Sequence, residues 1–318
     1  MNRALWHNSS EHSALKLVDP TTPSVNQLKV KSLYSLISTG TERLVAKGLV
    51  PEIAASAMRV PYMKGDFSFP VKYGYSLVGE VMNDGPLAGR RVHLLHPHQE
   101  MVLVDQEDVF VIPENVPAKR AALASNLETA VNAVWDGGVS VGDRILVAGF
   151  GMIGSLVARL IKMMPAVELK IMEKDKKKRQ LGREMGFEMV ENLEKGYFDI
   201  AINTTANGDA LQLCIDSVGE EGSVVELSWY GTREVTLKLG ADFHYKRKQI
   251  ISSQVSGIPA ARTSRWDYRR RKEVVFELLG SEDFDAHISN VISFEETPAF
   301  FNQLRNDEFN GLGCCIRY

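Results

Sequence analysis

Gly149, Gly151 and Gly154 have the spacing of a phosphate cradle, with Phe150, Met152 and Ile153 between and around them. The apolar run Ile145 to Ala148 before them reads as a buried strand, and Ser155 to Met164 after them has helical apolar spacing. A G-x-G-x-x-G pattern in this strand–turn–helix setting points to a bound dinucleotide. The first glycine permits the tight turn, the second lets the backbone approach a pyrophosphate, and the third lets helix and strand pack closely. The helix N-terminus adds free N–H groups and the positive end of its dipole.

A second strand, Val167 to Met172, ends at Glu173. Its offset from Gly149 is close to the ~20 residues expected of a carboxylate that holds the adenosine ribose. An acid there accepts hydrogen bonds from a free 2′-hydroxyl and repels a 2′-phosphate, which favours NAD over NADP. The basic run Lys174 to Arg179 either argues the other way or is the solvated start of a helix. Within it, Lys178 is placed to touch the ribose of either cofactor. Thr204 and Thr205 follow the strand Ile200 to Asn203, at the carboxyl edge where such sheets bind ligands. Ser228, Trp229 and Tyr230 end the next strand. The two aromatics either wall the nicotinamide or substrate, or sit at a subunit contact.

Positioning these residues requires a doubly wound parallel sheet, and the chain is long enough for that and more. Its 318 residues imply two domains. Up to about Ala121, short β-like runs (Leu28 to Tyr34, Tyr75 to Met82, Arg91 to Leu95, Met101 to Val104) are punctuated by Gly and Pro, an irregular barrel pattern. From Ala122, helix and strand alternate. A helix from Arg265 to Leu279, a strand Ile288 to Ile292, a helix Thr297 to Arg305 and a strand Cys314 to Tyr318 finish the chain and are expected to rejoin the first domain. The net charge of −3 gives no electrostatic case for nucleic acid or an anionic membrane. No apolar run approaches a membrane span, and Met1 to His7 lacks a signal-peptide core. Three cysteines, Cys214, Cys314 and Cys315, form no disulfide framework and suit a reducing cytoplasm.

Four further segments carry a family resemblance. Ser35-Leu-Ile-Ser-Thr-Gly-Thr-Glu42 is similar to an S-G-I-C-G-T-D segment with one extra residue. Tyr73-Gly-Tyr-Ser-Leu-Val-Gly-Glu-Val81 is similar to G-H-E-x-x-G-x-V. Ala124 to Val134 resembles the helix leading into a nucleotide-binding domain, and Gly138-Val-Ser-Val-Gly-Asp143 the turn before its first strand. Together they resemble the medium-chain dehydrogenase/reductase family over nearly the whole chain. Ile-Ser-Thr-Gly-Thr-Glu with G-Y in place of G-H is most like the bacteriochlorophyllide 2-hydroxyethyl dehydrogenase branch, from which Ser76 departs. The resemblance implies an α/β chain: a GroES-like β-barrel catalytic domain (1–122 and 263–318) and a Rossmann doubly wound parallel sheet (123–262). It also implies a homo-oligomer.

The family's catalytic zinc places fall on Ser38 (or Thr39), Tyr75 and Ser125, none of which is an ordinary zinc ligand. The lobe that carries four cysteines in zinc-binding relatives is missing between Arg90 and Met101. No zinc is therefore expected, and His93 with His98 makes a poor alternative metal pair. Without a Lewis acid, side chains must handle the proton and the developing alkoxide. Tyr75, in the former histidine place, and His98 are the candidate proton donors. Thr41 matches a relay hydroxyl of the family, and Thr129 a threonine that faces the nicotinamide. Glu42 and Glu128 are read as braces, and His244 as a second-tier site residue. The arginines from Arg262 to Arg271 either clamp an anionic substrate or form a solvated helix face. The expected activity is NAD-dependent interconversion of a small-molecule secondary alcohol and its ketone, zinc-free. The rivals are reduction of an activated C=C bond and a non-catalytic NAD-binding sensor.

Overall fold

The computed structural model describes residues 2–18 and 22–318. These residues form two compact units. One comprises residues through Ser125 together with Phe276–Tyr318; the other is Asn126–Val275. The sequence places the corresponding boundaries at 122/123 and 262/263.

In the first unit the long strand Gln27–Ile37 is the organiser. It pairs antiparallel with Leu77–Val81, with Met101–Asp105 and with Cys314–Arg317. Asn290–Ser293 extends the sheet on one side, and Arg91–Leu94 and Val109–Val111 extend it on the other. Leu28, Val30, Leu77, Val92, Leu94, Val102 and Val104 close over one another as its core. Inward-facing apolar residues alternate along these strands, as a barrel wall requires. A smaller sheet joins Arg3–His7 to Ser13–Leu17 and to the short strands Val71–Lys72 and Lys64–Gly65. The strand read from Tyr75 starts at Leu77 instead. Gly74 breaks the run with φ +130°, where a side chain is strained, so Tyr75 sits on a link rather than in a ladder.

The second unit is a six-stranded parallel sheet. Its order is Met189–Val190, Glu168–Met172, Arg144–Ala148, Phe198–Asn203, Val218–Glu226, Gln249–Ser252. In chain order this is 3-2-1-4-5-6, the doubly wound dinucleotide arrangement, whose direction reverses beside the first strand. Helices Met152–Lys162, Lys176–Glu184 and Gly208–Ser217 make the crossovers. The apolar stripe of Met152–Lys162 (Leu156, Val157, Leu160, Ile161) is buried. Cys214, Cys314 and Cys315 are unpaired thiols, all buried. No helix among the described residues is long and apolar enough to cross a membrane.

Candidate functional site

The glycine loop follows the strand Arg144–Ala148, and Gly151 caps the helix Met152–Lys162. Gly149 has φ +94°, and a Cβ there would lie 2.7 Å from the Thr204 hydroxyl. A Cβ on Gly154 would collide with the Gly149 carbonyl oxygen and stand 2.7 Å from the same hydroxyl. Gly151 differs: nothing lies within 4 Å of where its Cβ would be. Two glycines are thus required by packing, while the third leaves the approach open for a ligand. Phe150 is fully buried against Phe187, with centroids 5.5 Å apart. Met152 is buried and Ile153 half-buried in the first helical turn.

Glu173 closes this loop. One carboxylate oxygen accepts the Phe150 backbone N–H (2.7 Å) and the other accepts that of Asp175 (2.9 Å). Each oxygen keeps a lone pair for a ribose diol. Asp175 caps the next helix by accepting the Lys178 N–H at 3.0 Å. Arg179 turns back onto the Glu173 and Lys174 carbonyls. Thr204 donates its hydroxyl to Ala148 O (2.9 Å), and Thr205 to Asn203 Oδ1 (2.8 Å). Ser228 Oγ accepts the Ala206 N–H at 2.9 Å, and Thr129 lies half-buried on the helix Ala124–Asp136. These residues fit a dinucleotide: a side-chain-free approach, a helix N-terminus and a fixed carboxylate.

At the same carboxyl edge is a polar cluster that the sequence did not reveal. Asn203, wholly buried, donates to Glu226 Oε2 (2.7 Å), as does the Tyr230 hydroxyl (3.1 Å). Glu226 Oε1 accepts the Ser228 N–H. Tyr230 is therefore turned onto Glu226, and burial with that carboxylate raises its phenol. His244 belongs elsewhere. It lies in the short helix Asp242–Tyr245 that precedes the strand Gln249–Ser252, so it is at the amino edge of the sheet. There the Glu221 N–H donates to Lys246 O.

In the first unit, Tyr75, Ser38 and Thr41 come together. The Tyr75 phenol is hydrogen-bonded to the Ser38 and Thr41 side chains. Burial, with the nearby Glu42 charge, pushes it up to about 12 despite those bonds. Ser125 donates its hydroxyl to Tyr75 O at 2.8 Å. Ser76 donates to Ala122 O (2.7 Å) and lies 3.1 Å from His93 Nε2. The three expected metal places thus carry two hydroxyls and a phenol that are bonded to protein. No group of three His, Cys, Asp or Glu among the described residues is placed to hold an ion. This donor set does not fit zinc, which takes thiolate, imidazole or carboxylate.

His98 is fully buried and does not share His93's surroundings. Its Nε2 is 2.9 Å from Glu42 Oε2 and its Nδ1 is 2.7 Å from Ser35 Oγ. Gly74 makes room for it: a Cβ there would stand 3.0 Å from the imidazole. Glu42 is also a brace, accepting the Ser38 N–H at 2.8 Å. Glu128 pairs with Arg271 (3.3 Å) and with Lys272. Arg271 and Lys272 are buried, so the solvated-face reading fails for these two. Arg270 lies over Trp266 and Arg262 over Trp135.

No family model matches the chain. It is 24% identical over 253 residues to a D-guloside 3-dehydrogenase of Escherichia coli (strain K12), which covers 72% of each chain. It is 24% identical over 303 residues to the (R,R)-butanediol dehydrogenase of Bacillus subtilis (strain 168), 81% of this chain and 84% of that one. The crystal structure of the 2R,3R-butanediol dehydrogenase from Bacillus subtilis superposes with TM-score 0.78 at 18% identity, covering both chains fully. The acetophenone reductase of Geotrichum candidum NBRC 4597, solved in complex with NAD, gives TM-score 0.79 at 17% identity over 100% of this chain and 97% of that one. The fold is that of the zinc-type medium-chain dehydrogenases, a GroES-like domain and a Rossmann domain, and the curated relatives are dehydrogenases.

Proposed function

We propose that the chain is a zinc-independent, NAD(H)-dependent oxidoreductase that interconverts a secondary alcohol and a ketone. The observation that carries this reading is the Tyr75 phenol. It stands where the family resemblance puts a metal ligand and is hydrogen-bonded to Ser38 and Thr41. A phenol held near 12 stays protonated at neutral pH and can protonate a developing alkoxide. When bound, the nicotinamide ring exchanges a hydride with the carbinol carbon. Gly149 to Gly154 would cradle the pyrophosphate, and Glu173 would take the ribose diol and disfavour a 2′-phosphate. Thr204, Thr205, Ser228 and Thr129 are proposed to flank the nicotinamide half. Arg271 and Lys272 are buried and spend their donors within the protein, both on Glu128 and Arg271 also on Asn132 Oδ1 and Val255 O, which favours a neutral polyol-like substrate over an anionic one. A homo-oligomer goes with this reading, and Gln249–Ser252, the longer of the two edge strands of the parallel sheet, is proposed as the pairing strand.

The test is anaerobic calorimetric titration with NAD+ and NADPH, followed by a panel of alcohols, ketones and enones that includes 2,3-butanediol and sorbitol. Preferred NAD+ binding with turnover of a secondary alcohol is expected. NADPH preference with enone turnover overturns the reading in favour of C=C reduction. Tight NAD+ binding without turnover of any panel member favours a sensor.

A further inference from the structure

The first unit buries a lysine without an acid. Lys72 is 4% exposed, and its ammonium donates to Gln99 Oε1 at 2.7 Å. Gln99 is buried too, and its Nε2 donates to Met101 O at 2.6 Å, which turns its oxygen onto the lysine. An ammonium carries three N–H donors, and one neutral amide oxygen is a poor complement for a charge taken out of water. Burial first, then the Lys64 charge, lower Lys72 to about 8; among the described residues no carboxylate acts on it.

The strands show how the lysine is held there. Lys64–Gly65 and Val71–Lys72 pair antiparallel, with Lys64 directly opposite Lys72. Directly opposed residues of such a pair share a face, and like charges there destabilise it. Val71 and Tyr73 pack into the cluster of Val45, Met63 and Phe67, and the Tyr73 ring meets that of Tyr75 at 6.0 Å. Lys72 lies between Val71 and Tyr73 in sequence and faces the other way, towards Gln99. His96 is also close enough to feel the Lys72 charge, but burial first holds it neutral, near 3, and its Nδ1–H is given to Pro97 O. Tyr62, stacked on His96, turns its hydroxyl onto Asp108. Lys64 is exposed and marks the open side of the cluster.

We propose that Lys72 and Lys64 form a binding site for an oxyanion, the carboxylate or phosphate group of a small ligand that enters past Lys64. The site goes beyond the alcohol–ketone reading and does not depend on it, since Lys72 faces away from Tyr73 and its Tyr75 contact. A bound oxyanion accepts the Lys72 N–H groups that Gln99 leaves over. It also lies between two like charges that otherwise repel, and lysine serves such a group as a point charge.

The test adds inorganic phosphate or acetate, one probe for each source, to the whole protein at fixed ionic strength with chloride as the balancing anion. 13C NMR of protein labelled at lysine Cε, with Lys72 assigned from Lys72→Met, follows the binding. A saturable shift of the Lys72 signal is expected, together with a rise in the pH at which Lys72 titrates, because a bound anion favours the charged form. Saturation by phosphate alone assigns a phosphorylated ligand, by acetate alone a carboxylate, and by both a general oxyanion site. Thermal unfolding gives the second readout. Lys72→Met fills the same space without the charge, and it should weaken the anion's stabilising effect by roughly tenfold in apparent affinity. Lys64→Gln, an exposed change, should weaken it by roughly threefold. If neither anion shifts the Lys72 signal saturably, or if Lys72→Met is stabilised by the anions as much as the wild type, the proposal is overturned.

Discussion

Lowering the pH should unfold the first unit through two histidines that flank the candidate site. His96 is buried, donates to Pro97 O at 2.7 Å and stacks on Tyr62. His7 is buried against Phe301, and the Arg305 guanidinium lies beside its Nδ1. Burial, mainly, holds each near 3 rather than the ordinary 6.5. A folded-state pKa below the unfolded value means that the unfolded chain binds more protons between about 6.5 and 3. Stability is therefore full above 6.5 and falls as the pH drops towards 3. Between pH 7.5 and 4.5 the linkage relation gives a loss on the order of 3 kcal/mol for each histidine. The assay is native-state hydrogen exchange of amides in Gln27–Ile37, which reports opening of this unit, at both pH values. His96→Gln should lower stability at pH 7.5 yet reduce the pH-dependent loss by roughly half. A variant that loses as much as the wild type over this interval would refute the argument.

The glycine loop separates packing from binding. Gly154→Ala drives a methyl into the Gly149 carbonyl and should destabilise the second unit by about 1–3 kcal/mol in urea unfolding. Gly151→Ala meets open space, so its stability should be unchanged while NAD+ affinity falls by ~10-fold, about 1.4 kcal/mol, in calorimetry. Glu173→Gln removes the charge beside the ribose place and should move the NADPH/NAD+ affinity ratio towards NADPH by roughly tenfold. Tyr75→Phe should cut alcohol turnover by about 10²-fold with NAD+ affinity intact, as paired kinetics and calorimetry will show.

The dinucleotide half of the molecule was legible because its signals are local. The Gly149–Gly154 loop, the strand before it, the helix after it and Glu173 lie within one short stretch, and each carries its own conformational signature. The helix Thr297–Arg305 likewise appears where the sequence puts it. The buried contacts from Tyr318 through Ser35 and His98 to Glu42 were not legible as a whole. Ser35 and Tyr318 are 283 positions apart, and they meet only because Cys314–Arg317 pairs with the end of Gln27–Ile37. No local pattern encodes that register. Glu42 does brace the Ser38 backbone, but its partner His98 arrives from another strand connection and left no local signal. For Arg271 and Lys272 a signal was present: they stand one helical turn before buried Val275 and Phe276, on the inward face. His244 was misread from sequence proximity to a strand end. The chain crosses from the carboxyl to the amino edge of the sheet before reaching it.

The central claim is that the Tyr75 phenol with the Ser38 and Thr41 hydroxyls, rather than a cation, handles the alkoxide and its proton. Metal analysis of the purified, chelator-treated protein, coupled to 2,3-butanediol oxidation by NAD+ in the same sample, tests it directly. The account predicts undiminished turnover at a metal content far below one ion per chain, with no gain on adding Zn2+. Turnover that vanishes with the metal and returns on addition of Zn2+ would contradict it.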